Sequence, residues 1–266
     1  MSCWYMLRTF STELVCFTVK VGGVEKDANQ ALVVAISSSA VFESSDDIDG
    51  VHSVGVAFSL LQALQSVNRR LLAENPEESL LFDVLLITTD SREQEQSTRI
   101  INSTKHYGLD VSRFCFSCQD NFIESLLQNN VQLFLSTEPD EALRVSQEGV
   151  LSALLDQQKS SCPSEQLRVL FCDDDDDGGG MAPANRQAAQ RFWSRLGDIR
   201  RRFGILDSPL SIIVMTSHKG RDSCGDALMM LRSHGVSADE AHCLAGAPRG
   251  PILSVLAPHF LLGGLR

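Results

Sequence analysis

An α/β fold with a mainly parallel sheet, Rossmann-like, with helices on both faces, is what this sequence predicts, and three observations predict it. Short unbroken apolar runs recur along the 266 residues. Stretches with apolar residues at helical spacing separate them. Polar or turn-forming residues close nearly every run, which puts hydroxyls, carboxylates and cations at strand ends.

The elements follow in order. Residues 1–28 show no clear period and stay unassigned. Ala31-Leu-Val-Val-Ala-Ile36, closed by Ser37-Ser-Ser39, has the continuous apolarity of a strand buried on both faces. Phe58 to Leu72 carries Leu60, Leu61, Leu64, Val67, Leu71 and Leu72 at amphipathic helical spacing, and Asn75-Pro76 stops it. Phe82 to Ile87 is a second strand. A helix over Arg92–Tyr107 follows, closed by Gly108.

Val131 to Leu135 is a third strand, with a helix starting after Ser136. A polar linker at 157–165 divides the chain into a first half, 29–156, and a second, 157–266. Leu167–Phe171 opens the second half as a strand. A helix over Gln187–Phe203, a strand at Ile212–Met215 and a helix over Ala227–His234 stopped by Gly235 come next. Cys243-Leu244 and Pro258–Leu262 are the last strands.

Bulk properties exclude several function classes. A net charge of −11 argues against a nucleic-acid partner, whose phosphates call for clustered cations. The run Arg200-Arg201-Arg202 reads as a solvated helix face. No apolar run reaches the ~18 residues of a membrane span, and Leu14–Val19 is too short for a signal core. The expectation is a cytoplasmic protein with reduced thiols. Cys115-Phe-Ser-Cys118 has no second pair to complete a zinc site.

In parallel α/β sheets ligands bind at the carboxyl ends of the strands. Three ends carry chemistry. Cys172-Asp-Asp-Asp-Asp-Asp177 follows Phe171, Thr216-Ser217 follows Met215, and Ala245-Gly-Ala-Pro-Arg249-Gly-Pro follows Leu244. A carboxylate that attacks phosphorus, a second carboxylate two residues on that protonates the leaving oxygen, and a hydroxyl and cation that hold phosphate oxygens suit phosphoryl transfer. The spacing of two matters because side chains at i and i+2 of an extended segment share a face.

Specific text narrows this class. Ser66-Val-Asn-Arg-Arg70, Phe82-Asp-Val-Leu-Leu, Arg99-Ile-Ile-Asn-Ser with His106-Tyr107, Arg113-Phe-Cys, Leu167-Arg-Val, Ala227-Leu with Leu231-Arg-Ser, and above all Leu244-Ala-Gly-Ala-Pro-Arg-Gly-Pro251 resemble the cytosolic type I 5′-nucleotidases, a branch of the haloacid-dehalogenase-like phosphohydrolases. The resemblance spans roughly residues 31–266. It implies Mg²⁺-dependent release of phosphate from nucleoside 5′-monophosphates, AMP especially. It also implies a homo- or mixed oligomer under nucleotide control.

The departures are as specific. The family follows this strand with Asp-Gly-Asp, nucleophile first and acid/base last. Aligned without a gap, the nucleophile position is Cys172, and Asp174 is the acid/base and metal-ligating carboxylate. A cysteine phosphatase would need an arginine six residues on, where Gly178 stands. A one-residue insertion instead makes Asp173 the nucleophile and Asp175 the acid/base. The acidic residues that the family places after its late strand are replaced by Gly263-Gly264, and the short stretch Gly178–Asn185 leaves the cap reduced.

Thr216 matches the phosphate-binding hydroxyl, Arg249 replaces the phosphate-neutralising lysine, and His218 stands where the family has arginine. A calcium loop is excluded, because Asp173-x-Asp175-x-Asp177-Gly178 meets Ala184 where the bidentate Glu belongs. Three readings stay open: a 5′-nucleotidase fold whose activity is absent or impaired, a non-catalytic nucleotide-binding or regulatory subunit, and a working hydrolase in the shifted register.

Overall fold

The computed structural model describes residues 17–20, 30–43, 50–88, 94–111, 113–117, 120–155, 165–173, 183–204, 207–217 and 223–263. The chain is α/β and its sheets are mainly parallel, as the alternating pattern predicts. The described strands divide between two larger sheets and a two-stranded ribbon rather than joining one sheet.

The first sheet gathers β1 (Phe17–Lys20), β2 (Leu32–Ser37), β5 (Phe82–Thr88), β6 (Arg113–Phe116), β7 (Leu133–Ser136) and β8 (Leu151–Leu154) in the order β1-β6-β5-β2-β7-β8. All of its pairs are parallel except β1 with β6. β1 lies in the segment the sequence leaves unassigned, because an edge strand needs no long apolar run. A small ribbon of β3 (Phe42–Glu43) and β4 (Ser53–Val54) follows the single-turn helix α1 (Ser38–Val41).

Every residue of β2 is buried, and the pleat sorts its side chains. Leu32, Val34 and Ile36 enter one apolar cluster, while Val33 and Ala35 enter another on the opposite face. α2 (Phe58–Glu74) buries Leu60, Leu61, Leu64, Val67 and Leu71 on the first face. The helices α4 (Phe122–Gln128) and α5 (Pro139–Gln147) place Phe122, Leu126 and Val145 on the second. Within α2, Asn68 is buried and brackets Phe82: its Nδ2 donates to the Phe82 carbonyl at 2.7 Å and its Oδ1 accepts from the Phe82 N–H at 2.8 Å. α3 (Gln94–His106) completes the first-sheet helices and ends at Gly108, whose φ of 64° suits glycine.

The second sheet orders β11 (Glu240–Cys243), β10 (Leu210–Thr216), β9 (Leu167–Asp173) and β12 (Phe260–Leu262), all parallel. α6 (Pro183–Arg201) covers it with Ala189, Phe192, Trp193, Leu196 and Ile199, and α7 (Ser223–Ser233) adds Ala227 and Leu231. Trp193 meets Phe171 edge-on at 5.8 Å between centroids. One apolar cluster runs from Leu32 of β2 to Leu262 of β12, so the two sheets share a core. The edge strands β8 and β12 lie close together. On the outer face, α8 (Gly250–Leu256) caps a smaller cluster of Leu170, Cys172, Ile213, Met215 and Leu244.

Close approach fixes where α6 sits. A Cβ at Gly197 would come within 2.5 Å of the Gly235 carbonyl oxygen, so only glycine lets this helix pass the turn after α7. The basic run is solvated at Arg201 and Arg202, as expected, and departs from expectation at Arg200. Arg200 is buried, with its Nε donating to the two Asp239 carboxylate oxygens at 3.1 and 3.2 Å. Arg201 pairs with Asp198, and the Arg202 Nε lies 3.2 Å from Glu78 Oε2. A charge pattern alone does not register that Asp239, 39 residues on, returns to the end of α6.

Candidate functional site

The carboxyl ends of β9, β10 and β11 meet where the sequence places its chemistry. Parallel register sets Met215 beside Cys172, Thr216 beside Asp173, and Thr216 beside Cys243. Thr216 is fully buried as the last residue of β10, and its Oγ1 has no hydrogen-bond partner among the described residues. A buried hydroxyl without a partner costs about 1–3 kcal/mol, so this atom is poised for an acceptor.

The chain after β11 is tied to the same strand end. Leu244 N–H donates to the Thr216 carbonyl at 2.9 Å, and Gly246 N–H to the Ser217 carbonyl at 3.1 Å. The turn passes through positive φ at Ala245 (51°) and Gly246 (89°). For alanine the left-handed region costs about 1 kcal/mol, and the two backbone bonds hold it there. The turn delivers Arg249 to the start of α8, where its carbonyl accepts from Ile252 and Leu253. Its Nε donates to Ser217 Oγ at 3.0 Å. Ser217 thus holds Arg249, a role that sequence reasoning did not assign although it placed Ser217 at a chemistry-bearing strand end. Its position next to Thr216 was the available signal.

Cys172 is buried in the outer apolar cluster with Leu170, Met215, Leu244 and Leu256, under α8. Asp173 is the last residue of β9 and the register neighbour of Thr216; its side chain lies outside the described residues. Asp174 and Asp175 lie outside them too, as do His218 and Cys118. The structure therefore brings Thr216, Ser217 and Arg249 together, and places Cys172 one register step away in apolar surroundings.

The magnesium that the resemblance implies takes oxygen ligands. Among the described residues no three acidic, histidine or cysteine side chains converge. β12 runs into Gly263, which brings no side chain to the rim, and the Cys172 sulfur is a soft donor. The described residues do not fit a magnesium site.

The late strand carries one titratable group. His259 is buried at the amino end of β12, far along the strand direction from the candidate site. Its Nδ1 accepts from the Arg168 N–H at 3.0 Å. Burial, and then the Arg168 charge, push its pKa down from 6.5 to about 4. The neutral form is therefore native. Above pH 6.5 the unfolded imidazole is neutral as well, and the full stability is present. Between pH 6.5 and about 4 the unfolded state takes a proton that the folded state refuses, which removes roughly 3 kcal/mol by pH 4. Urea unfolding of the parent and of His259→Gln across pH 4–7.5 should show a shallower pH slope in the variant. Identical slopes would overturn the assignment.

Comparison with known proteins bears on the family. The 5′-nucleotidase family profile matches residues 45–178, half of the chain. Human cytosolic 5′-nucleotidase 1B is 28% identical over an alignment that covers 86% of this chain and 45% of that protein. The chain thus spans under half the length of this relative. No helix among the described residues is long and apolar enough to cross a membrane. With its text, fold and family match in agreement, the chain belongs to the 5′-nucleotidase family.

Proposed function

We propose that this protein binds nucleoside 5′-monophosphates, AMP first among them, through their phosphate at the carboxyl ends of β9 and β10, and that its hydrolytic activity is absent or strongly impaired. The observation that carries the reading is the buried Thr216 hydroxyl, without a partner among the described residues, at the strand end that leads to Ser217 and Arg249. A phosphate oxygen supplies the acceptor that Thr216 lacks, and Arg249 supplies charge, its fork steadied by Ser217. The glycines that follow β12 and the apolar seat of Cys172 support the loss of turnover. Asp174 remains as the metal-ligating carboxylate, so Mg²⁺ binding is expected to be weak. The half 157–266 carries the site, in a cytoplasmic protein that forms homo- or mixed oligomers and responds to a nucleotide effector.

A second reading has its own observation. Register sets Asp173, not Cys172, beside Thr216. That supports a shifted hydrolase in which Asp173 attacks phosphorus and Asp175 protonates the leaving oxygen.

Calorimetric titration with AMP tests the binding. The parent should bind, and Thr216→Val, which keeps the shape and removes the hydroxyl, should weaken binding about 5- to 30-fold, the worth of one or two kcal/mol. A folded parent that binds no AMP, or a Thr216→Val variant that binds as the parent does, would overturn the reading.

A further inference from the structure

Two cysteines that nucleotidase chemistry does not use meet at the rim of this site. Cys243 ends β11 as the register neighbour of Thr216. Register neighbours in a sheet share a face, and the Val214–Thr216 face of β10 is the one that α7 covers with Ala227 and Leu231. α7 packs against β11 as well. The chain runs up β10, down α7 and up β11, so the first turn of α7, which holds Cys224, lies level with the last residue of β11. Cys243 is exposed and Cys224 half-buried. The two thiols are close enough to feel each other's charge: burial and then Cys243 push the Cys224 pKa up.

We propose that Cys224 and Cys243 form a reversible disulfide on exposure to peroxide, a modification site that fastens α7 to β11 beside Thr216. The division of labour follows from exposure. The accessible Cys243 sulfur attacks hydrogen peroxide, breaking the O–O bond and giving a sulfenic acid and one water. The Cys224 thiol then attacks that sulfur and expels a second water, so the two sulfurs lose two electrons to the peroxide. A dithiol reductant reverses the bond. Cys115 and Cys172 are buried and serve as internal controls.

The test treats the purified full chain with about one equivalent of hydrogen peroxide, blocks remaining thiols with an alkylating reagent, and maps peptides without reductant. The expected product is one cross-linked peptide pair holding Cys224 and Cys243, lost on reduction. In Cys224→Ser the link should vanish and Cys243 should be trapped as a sulfenic acid. Full alkylation of both thiols after peroxide would overturn the proposal. So would a sulfinic acid at Cys243 without a link, or a link to any other cysteine. A second arm rests on the AMP-binding reading: the oxidised parent should bind AMP several-fold differently from the reduced form, and Cys224→Ser should show no such change. A link that forms while reduced protein binds no AMP overturns the binding reading and leaves the modification standing; a link with unchanged AMP affinity overturns only the coupling.

Discussion

Purified protein given AMP and Mg²⁺ should release phosphate at least about 10⁴-fold more slowly than an intact 5′-nucleotidase, a deficit of roughly 5.5 kcal/mol in the barrier. Covalent phosphoryl transfer needs a nucleophile in line with phosphorus and charge to neutralise its oxygens. The ungapped nucleophile position is Cys172, and its side chain packs with Leu170, Met215 and Leu256 rather than beside Thr216. Gly263 follows β12 with no carboxylate to offer. Cys172→Ser should accordingly leave whatever release exists unchanged. The informative variants are Asp173→Asn and Asp174→Asn. Brisk turnover in the parent, lost in Asp173→Asn, would sink the impaired-enzyme reading and establish the shifted register. Phosphate release kinetics, with circular dichroism to confirm folding, decide between these outcomes.

Asp239→Ala should cost about 3 kcal/mol or more of stability, a large effect for one side chain. Asp239 accepts from the Arg200 guanidinium at 3.1 and 3.2 Å and also from the Ile212 N–H at 2.8 Å. It therefore joins the end of α6 to the entries of β10 and β11 in a single node. The Arg200 side chain is only 10% exposed, so truncating its partner leaves a buried cation unpaired. Arg200→Met removes the cation itself and should be less damaging, and the double variant should lose less than the sum. Urea denaturation of the four proteins checks this. A loss under about 1 kcal/mol in Asp239→Ala would show that the pair behaves as an exposed ion pair.

Much of the scaffold was legible because its signals are local. Ala31–Ile36 and Phe82–Ile87 are unbroken apolar runs, and they became the central strands β2 and β5. The Phe58–Leu72 stripe became α2. Elements without such signals were not legible. β1 is an edge strand paired only with β6, and β8 alternates too briefly to register. The separation into two sheets depends on which strands find each other, and no single run encodes that.

The sequence by itself pointed to the family through its resemblance, and to the longer strands and helices and the residues offered at the strand ends through residue types at characteristic spacing. It also put glycine at 263, which carries no carboxylate in any fold. Only the tertiary structure decided which neighbours those residues acquire. It set Asp173 rather than Cys172 beside Thr216, left Thr216 Oγ1 buried with no partner among the described residues, and seated Arg249 on Ser217. It also buried Arg200 against Asp239 and brought the Cys224 turn level with Cys243. The physical reason is the same in each case: register and long-range packing pair residues that lie far apart in the chain, and local composition contains no term for that pairing.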